Sequence, residues 1–356
     1  MTDLLALTAD LVDIPSVSHH EGDLADHLEG VLRRLPWLDV VRHDDNVVAR
    51  TDLGRPYRLL LAGHTDTVPA NGNARARVEG DTVHGLGTSD MKSGLAVFLE
   101  LARTVDRPAV DLTYVFYAGE EVESCHNGLG HLARERPELL TGDAAVLGEP
   151  TAGAIEAGCQ GTLRLAVTVR GRRAHTARPW MGVNAVHRLG PLLSVLGSYE
   201  GRRPVLGGCE FAEALQAVAV EGGVAANVVP DEAKLTLNHR FAPDRTPEEA
   251  ERRIGDLVAP TLGPDDTVDL VDVAPGAPPA LDHPLLAALV DKAGLGVRAK
   301  LGWTDVARFA ALGIPACNLG PGDPTLAHRA DERAERHLIE ATFACLDELV
   351  REGMGP

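Results

Sequence analysis

Three short apolar runs, each closing on polar residues, constrain this chain more than any other feature. The run Arg58-Leu-Leu-Leu-Ala-Gly63 closes on His64-Thr65-Asp66. A second run, over 111–118, closes on Gly119-Glu120-Glu121, and a third, over 143–147, closes on Gly148-Glu149-Pro150. Near-continuous hydrophobicity without alternation is the pattern of a strand covered on both faces. A helical pattern runs from about Lys92 to Val105 between the first two runs. Helical spacing also appears at 4–13 and 23–35, separated by the breaker and capping segment Ile14-Pro15-Ser16-Val17-Ser18. Strands alternating with helices predict an α/β domain whose mixed, mostly parallel sheet is flanked by helices. Sheets of that kind build their sites beyond the carboxyl ends of the strands, where the polar residues stand.

The texture changes near residue 160. From Thr162 to Arg170 the residues Leu163, Leu165, Val167 and Val169 alternate with polar neighbours, as in a half-exposed antiparallel strand. A helix at about 183–197, strands near 216–221 and 233–240, a charged helix at 246–258 and a last strand follow. That βαββαβ order predicts a small, ferredoxin-like α+β sandwich. The Pro- and Gly-rich stretch Val273 to Ala280 reads as a linker, after which a helix at 284–293 and a strand within 313–320 rejoin the first domain. The expected organisation is a larger domain formed by 1–159 and 279–356, interrupted by a smaller one at 160–278.

The chain has 356 residues, 44% of them hydrophobic and 24% charged, which suits a globular protein of two domains. A formal net charge of −18 argues against nucleic acid or an anionic membrane surface as partner. Five scattered cysteines without a Cys-x-x-Cys predict neither a disulfide framework nor a cysteine zinc site. The first residues carry acids where a signal peptide needs positive charge, and no run approaches the roughly 18 apolar residues of a membrane span. The expectation is a cytoplasmic protein.

Glu120 and Glu121 bear on the chemistry. Adjacent ionised carboxylates repel each other, so a cleft that receives both needs a cation. His64, Asp66, Asp90, Glu120, Glu121 and Glu149 make a nitrogen and oxygen set suited to zinc, with cobalt or manganese as substitutes. A carboxylate bridging two ions would set up two-metal hydrolysis. Gly85-Leu-Gly-Thr-Ser-Asp90 is glycine-rich, but it lacks the lysine of a phosphate loop, and its aspartate would repel a phosphate.

Taken in order, His64-Thr-Asp66, Gly-Thr-Ser-Asp90-Met-Lys, Glu120-Glu121, Gly-Glu149-Pro and Ala327-His328 resemble the co-catalytic zinc hydrolases. That family includes carboxypeptidase G, aminoacylase, acetylornithine deacetylase and succinyl-diaminopimelate desuccinylase, and the resemblance spans nearly the whole chain. It implies two zinc ions per subunit bridged by Asp90, with His64 and Glu149 completing one and Glu121 and His328 the other. It implies that Asp66 hydrogen-bonds the far nitrogen of His64 and that the Asp90–Met91 peptide is cis. Zinc lowers the pKa of water to about 7. Glu120, as general base, would take the proton while hydroxide attacks an amide carbonyl, then pass it to the leaving amine. The smaller domain becomes a lid and dimerisation domain. His175 would reach into the partner subunit's site of a homodimer to stabilise the oxyanion, and Asn227 and Arg240 would bind substrate. His19, His20 and His43 have no such counterpart and read as solvated.

Gly302-Trp-Thr-Asp-Val-Ala-Arg-Phe309 is similar to the Gly-Thr-Ser-Asp-x-Arg-Phe stretch of desuccinylases, with Trp303 where many members have glycine. With Gly320 to His328 and Asp331-Glu332 following, the resemblance is to the shorter, actinobacterial-type members. It implies hydrolysis of N-succinyl-LL-2,6-diaminopimelate to succinate and LL-2,6-diaminopimelate, in lysine and diaminopimelate biosynthesis, with Thr304 donating a hydrogen bond to substrate. The alternative is acetylornithine deacetylation, or the reaction of another N-acyl-amino-acid amidohydrolase or metallocarboxypeptidase. These reactions share every metal ligand. Arg178 stands where relatives carry tyrosine or serine, and the resemblance assigns it no role.

Overall fold

The computed structural model describes residues 3–294 and 296–354. The chain divides into two compact units, the larger formed by Met1–Gly158, Pro279–Arg298 and Arg308–Pro356, the smaller by Cys159–Pro278 and Ala299–Ala307.

In the larger unit an eight-stranded sheet runs in the order Asp39–His43, Asn46–Arg50, Asp111–Tyr117, Arg58–His64, Ala144–Leu147, Ala316–Asn318, Ile155–Ala157, Val297–Ala299. The four strands from Asp111–Tyr117 to Ala316–Asn318 are mutually parallel, and antiparallel neighbours flank them. The three apolar runs supply three of those four strands. Every residue of Asp111–Tyr117 and Ala144–Leu147 is buried, as strands covered on both faces must be. Register sets where the strands end. Ala62 lies opposite both Val115 and Leu147, so His64 lies opposite Tyr117, while Glu149 is two residues past Leu147 as His64 is two past Ala62.

Helix Ser93–Thr104 is buried without a break from Ser93 to Ala102 and packs against helices Leu4–Val12 and Arg336–Glu352. Asp3 caps the first of these by accepting the Leu5 N–H at 3.0 Å. The C-terminal helix Arg336–Glu352, which the sequence reading does not single out, buries Ile339, Thr342, Phe343, Leu346, Leu349 and Val350. That is an apolar stripe at helical period, and each fully buried leucine contributes roughly 1.5–3 kcal/mol.

In the smaller unit four strands run antiparallel in the order Ala214–Gly222, Glu232–Phe241, Gly161–Arg170, Thr267–Ala274. With helices Ala185–Gly197 and Pro247–Val258 they form the expected βαββαβ sandwich. Leu163, Leu165, Val167 and Val169 point into one core with Leu235 and Leu237 from the neighbouring strand and with Leu189, Leu192 and Ile254 from the helices. Thr246 and Glu249 close a capping box over Pro247–Val258.

The segment 299–307 groups with the smaller unit rather than with the larger one. Three contacts tie it there: Gln160 N–H to the Lys300 carbonyl at 3.2 Å, the Trp303 indole N–H to the Pro275 carbonyl at 3.1 Å, and Cys159 Sγ against the Thr304 carbonyl at 3.7 Å. All five cysteines are unpaired, and only Cys125 is exposed. Among the described residues no helix is long and apolar enough to cross a membrane.

Candidate metal centre

The parallel strands deliver their polar ends to one side of the larger unit. His64 is the last residue of its strand and is 1% exposed. After Tyr117 the chain turns at Gly119, whose φ is 70°. A Cβ there would stand 2.5 Å from the His126 carbonyl oxygen, so the turn requires glycine. Glu120 and Glu121 follow. Asp90 ends a loop that leads into helix Ser93–Thr104, and the Asp90–Met91 peptide is cis, as the resemblance implies. His328, in the left-handed region at φ 63°, comes from the segment before the C-terminal helix.

These side chains meet. His64 Nε2 lies 3.1 Å from Asp90 Oδ1, and His328 Nε2 lies 2.8 Å from Glu121 Oε1 and 3.6 Å from Asp90 Oδ2. The two oxygens of Asp90 therefore face different histidines. His64, Asp90 and Glu121 each offer a ligand atom, and the three atoms lie within 4.8 Å of one another. Glu149 is buried at the end of the adjacent strand, 5% exposed.

The electrostatics suit a cation. Burial alone would depress the His64 imidazole, but the carboxylates of Asp66 and Asp90 outweigh it and push it well above the ordinary histidine value. Its hydrogen bond to Glu121 pushes His328 up to about 9, with burial opposing and the charge of Asp90 adding. The carboxylates draw protons on to both imidazoles, and a divalent ion balances the same charge with neutral imidazole ligands. Two imidazoles and several carboxylates fit zinc or a similar borderline ion.

Asp66 faces the far nitrogen of His64 with two of its oxygens. Its backbone carbonyl is the nearer partner of His64 Nδ1, at 3.1 Å, and its Oδ1 stands 3.5 Å from the same nitrogen. The carboxylate also accepts the backbone N–H groups of Glu120 and Glu121, both at 3.0 Å, and the Ser18 hydroxyl at 2.8 Å. Burial would raise Asp66, but its contact with His64 and then these two N–H groups prevail and hold it at about 2. Glu21, 2% exposed, accepts the Gly119 N–H at 3.2 Å and so supports the same turn. Ser18 and Glu21 escape the sequence reading, because one carboxylate or hydroxyl bonded to a distant backbone N–H leaves no periodic trace.

The remaining predicted residues lie in the smaller unit. His175 pairs with Val228 in a two-residue ladder and is exposed, and its Nδ1 accepts the Ala177 N–H at 3.0 Å. Asn227 adjoins it, its carbonyl accepting the Thr176 N–H at 3.0 Å. Arg240 is half-buried in strand Glu232–Phe241, between Ala214 and Thr162 of the neighbouring strands. Thr304 is 2% exposed in the 299–307 segment. Arg178 donates its backbone N–H to the His175 carbonyl at 2.8 Å. His19 and His20 are exposed, while His43 is paired with Glu135 at 2.9 Å rather than solvated alone.

The model of peptidase family M20/M25/M40 matches residues 60–352. The chain belongs to this family. It is accordingly an M20-type metal-dependent hydrolase, with a His/Asp/Glu cluster that can take the metal. A Mycobacterium tuberculosis M20 relative, provisionally named a succinyl-diaminopimelate desuccinylase, is 54% identical over 345 residues, 97% of each chain. The succinyl-diaminopimelate desuccinylase of Corynebacterium glutamicum is 46% identical over 358 residues, 98% of this chain and 96% of that one. A Staphylococcus aureus tripeptidase has the same fold, with a TM-score of 0.81 at 22% identity, covering 98% of this chain and 97% of its own.

Proposed function

We propose that this M20 hydrolase cleaves the amide bond of N-succinyl-LL-2,6-diaminopimelate, releasing succinate and LL-2,6-diaminopimelate in the cytoplasm for lysine and cell-wall biosynthesis. The observation that carries this reading is the near full-length similarity to the mycobacterial and corynebacterial relatives and the activity for which they are named. The second expectation, acetylornithine deacetylation, becomes an outcome of the test.

Asp90 would bridge two positions through its two oxygens, with His64 and Glu149 completing one and Glu121 and His328 the other. A zinc pair held there, with cobalt as substitute, would supply Lewis acidity, polarising the amide carbonyl and lowering the pKa of water to about 7. Glu120 takes the proton from the attacking water and delivers it to the leaving amine. Glu121 is committed to metal while Glu120 handles the proton, and Asp66 fixes the backbone of both. His64 presents Nε2 inward because its Nδ1 faces the Asp66 carbonyl.

His175 would act across a homodimer. Its Nδ1 accepts the Ala177 N–H, so in the neutral ring Nε2 carries the proton and donates to the tetrahedral oxyanion. A pairing edge supports the dimer: Ala214–Gly222 is an outer strand of the small sheet and exposes Val218 and Val220 at 56% and 64%. An exposed apolar edge invites another strand, and a second copy brings the same edge by two-fold symmetry. Arg240 offers a planar fork for the succinyl carboxylate, and Asn227 and Thr304 supply hydrogen bonds to the rest of the substrate.

The test offers zinc-loaded protein N-succinyl-LL-2,6-diaminopimelate, N-acetylornithine and a simple dipeptide side by side. The succinylated substrate should have the highest kcat/KM, and Arg240→Gln should raise its KM. A preference for acetylornithine would overturn the substrate assignment and leave the family chemistry intact.

A further inference from the structure

The loop that carries Asp90 is gripped by a carboxylate from the other end of the chain. Glu332 is 1% exposed and accepts three backbone N–H groups: Gly87 at 3.0 Å through Oε2, and Ser89 at 2.9 Å and Asp90 at 3.0 Å through Oε1. Gly87 sits at φ 79°, and a Cβ there would crowd Thr67 at 2.9 Å. A left-handed residue in such a turn makes successive N–H groups converge on one point, forming a concave nest that binds an anion. Here the anion is a side chain of the protein itself.

The grip extends beyond the carboxylate. The Gly85 N–H donates to the Glu332 carbonyl at 3.1 Å, the strand Arg333–Glu335 pairs with Thr82–His84, and Ser89 Oγ donates to the Asp323 carbonyl at 2.8 Å. Glu332 follows His328 by four residues, so one short segment carries both the imidazole that faces Asp90 Oδ2 and the carboxylate that binds the Asp90 N–H. The backbone of Asp90 is thus fixed on one side while both its oxygens address histidines on the other. Charge-assisted hydrogen bonds of this kind are about twice as strong as neutral ones.

We propose that Glu332 is a positioning residue: by filling the Gly87–Asp90 nest it locks Asp90 and His328 into one geometry and so sets how tightly the metal they share is bound. This rests on the reading of Asp90 and His328 as ligands. Metal would hold the site together in the loaded enzyme, and Glu332 would shape it before the metal arrives.

The test measures zinc affinity, by competition with a chromophoric chelator, in wild type, Glu332→Gln, Glu332→Asp, His328→Ala and Leu346→Ala. The glutamine keeps the size of the side chain but turns an NH2 group toward N–H donors. Glu332→Gln should weaken zinc binding about 10–100-fold, in the range seen when partners behind metal ligands are changed. Its kcat should fall at limiting zinc, recover in part with excess zinc, and leave KM little changed. Leu346→Ala, in the core of the C-terminal helix, should lower Tm without changing zinc affinity. Glu332→Asp, one methylene short, should fall between wild type and Glu332→Gln, and it decides the matter should the glutamine variant fail to fold. Unchanged zinc affinity in Glu332→Asp and Glu332→Gln, beside a loss in His328→Ala, would overturn the positioning role alone. Unchanged affinity in His328→Ala would overturn the ligand reading beneath it.

Discussion

Asp66 holds Glu120 by its backbone: Oδ1 accepts the Glu120 N–H at 3.0 Å, and Oδ2 does the same for Glu121. One carboxylate thereby fixes the origin of two others, which would repel each other if both were left to find their own positions. Asp66→Asn keeps the shape but has a single acceptor oxygen, and its NH2 group must then face one of the two N–H donors. A drop in kcat of about 10–100-fold is expected, with KM little changed, because the pair is misaligned rather than removed. Steady-state kinetics check this, and a wild-type kcat would show that the Asp66 carboxylate is not what aligns the pair.

On the proposed roles, Glu120→Gln should separate metal binding from proton transfer. The substitution removes one negative charge and the proposed base, while His64, Asp90, Glu121, Glu149 and His328 stay in place. Zinc content by elemental analysis should match wild type, and turnover should fall by about 10²–10⁴-fold, the usual worth of a positioned general base. Near-wild-type turnover would remove Glu120 from the mechanism.

Chelation should abolish activity, and zinc or cobalt should restore it. Stability should follow, because an ion that binds only the folded chain stabilises it by about 4 kcal/mol at a thousandfold excess over Kd. Differential scanning calorimetry with and without added zinc reads this directly. A Tm indifferent to zinc would mean that the Asp90 cluster holds no ion tightly.

The strand ends were legible because parallel strands buried on both faces are near-continuously apolar, so His64, Glu120 and Glu149 stand out where the runs stop. The alternation of Leu163 to Val169 was legible for the opposite reason, since one face of that sheet is not covered. Other features left no such mark. Glu332, Glu21 and the carboxylate of Asp66 act on backbone N–H groups far along the chain, and any acid at those positions reads as a surface charge. The return of 299–307 to the smaller unit was likewise hidden: Val273 to Ala280 reads as a linker, whereas the second crossing has no proline and rests on contacts such as Trp303 with Pro275.

His239 should make the smaller unit sensitive to mild acid. It is 1% exposed, on the core side of strand Glu232–Phe241 with Tyr199 and Phe241 against its ring. Its Nδ1–H donates to the Ala214 carbonyl at 3.0 Å, and Nε2 has no hydrogen-bond partner among the described residues. Burial pushes the imidazole below its ordinary value; Ala214 and Glu213 oppose this, and Arg245 and Arg202 reinforce it. The folded chain therefore binds this proton less readily than the unfolded chain, whose histidine titrates near 6.5. Stability contributed by the neutral ring is complete above that pH and is lost as pH falls below it, by up to about 1.4 kcal/mol per pH unit. Carboxylates held low in this unit, such as Glu213 and Asp266, keep their charge until more acid conditions, so within this unit the window from pH 7.5 to 5.5 isolates imidazoles, and a group of the larger unit such as Lys92, which burial pushes down to about 7, is common to wild type and variant. Urea unfolding at those two pH values should show His239→Gln losing less stability on acidification than wild type, whatever its starting level. Equal losses in the two proteins would show that the buried ring accepts its proton without cost.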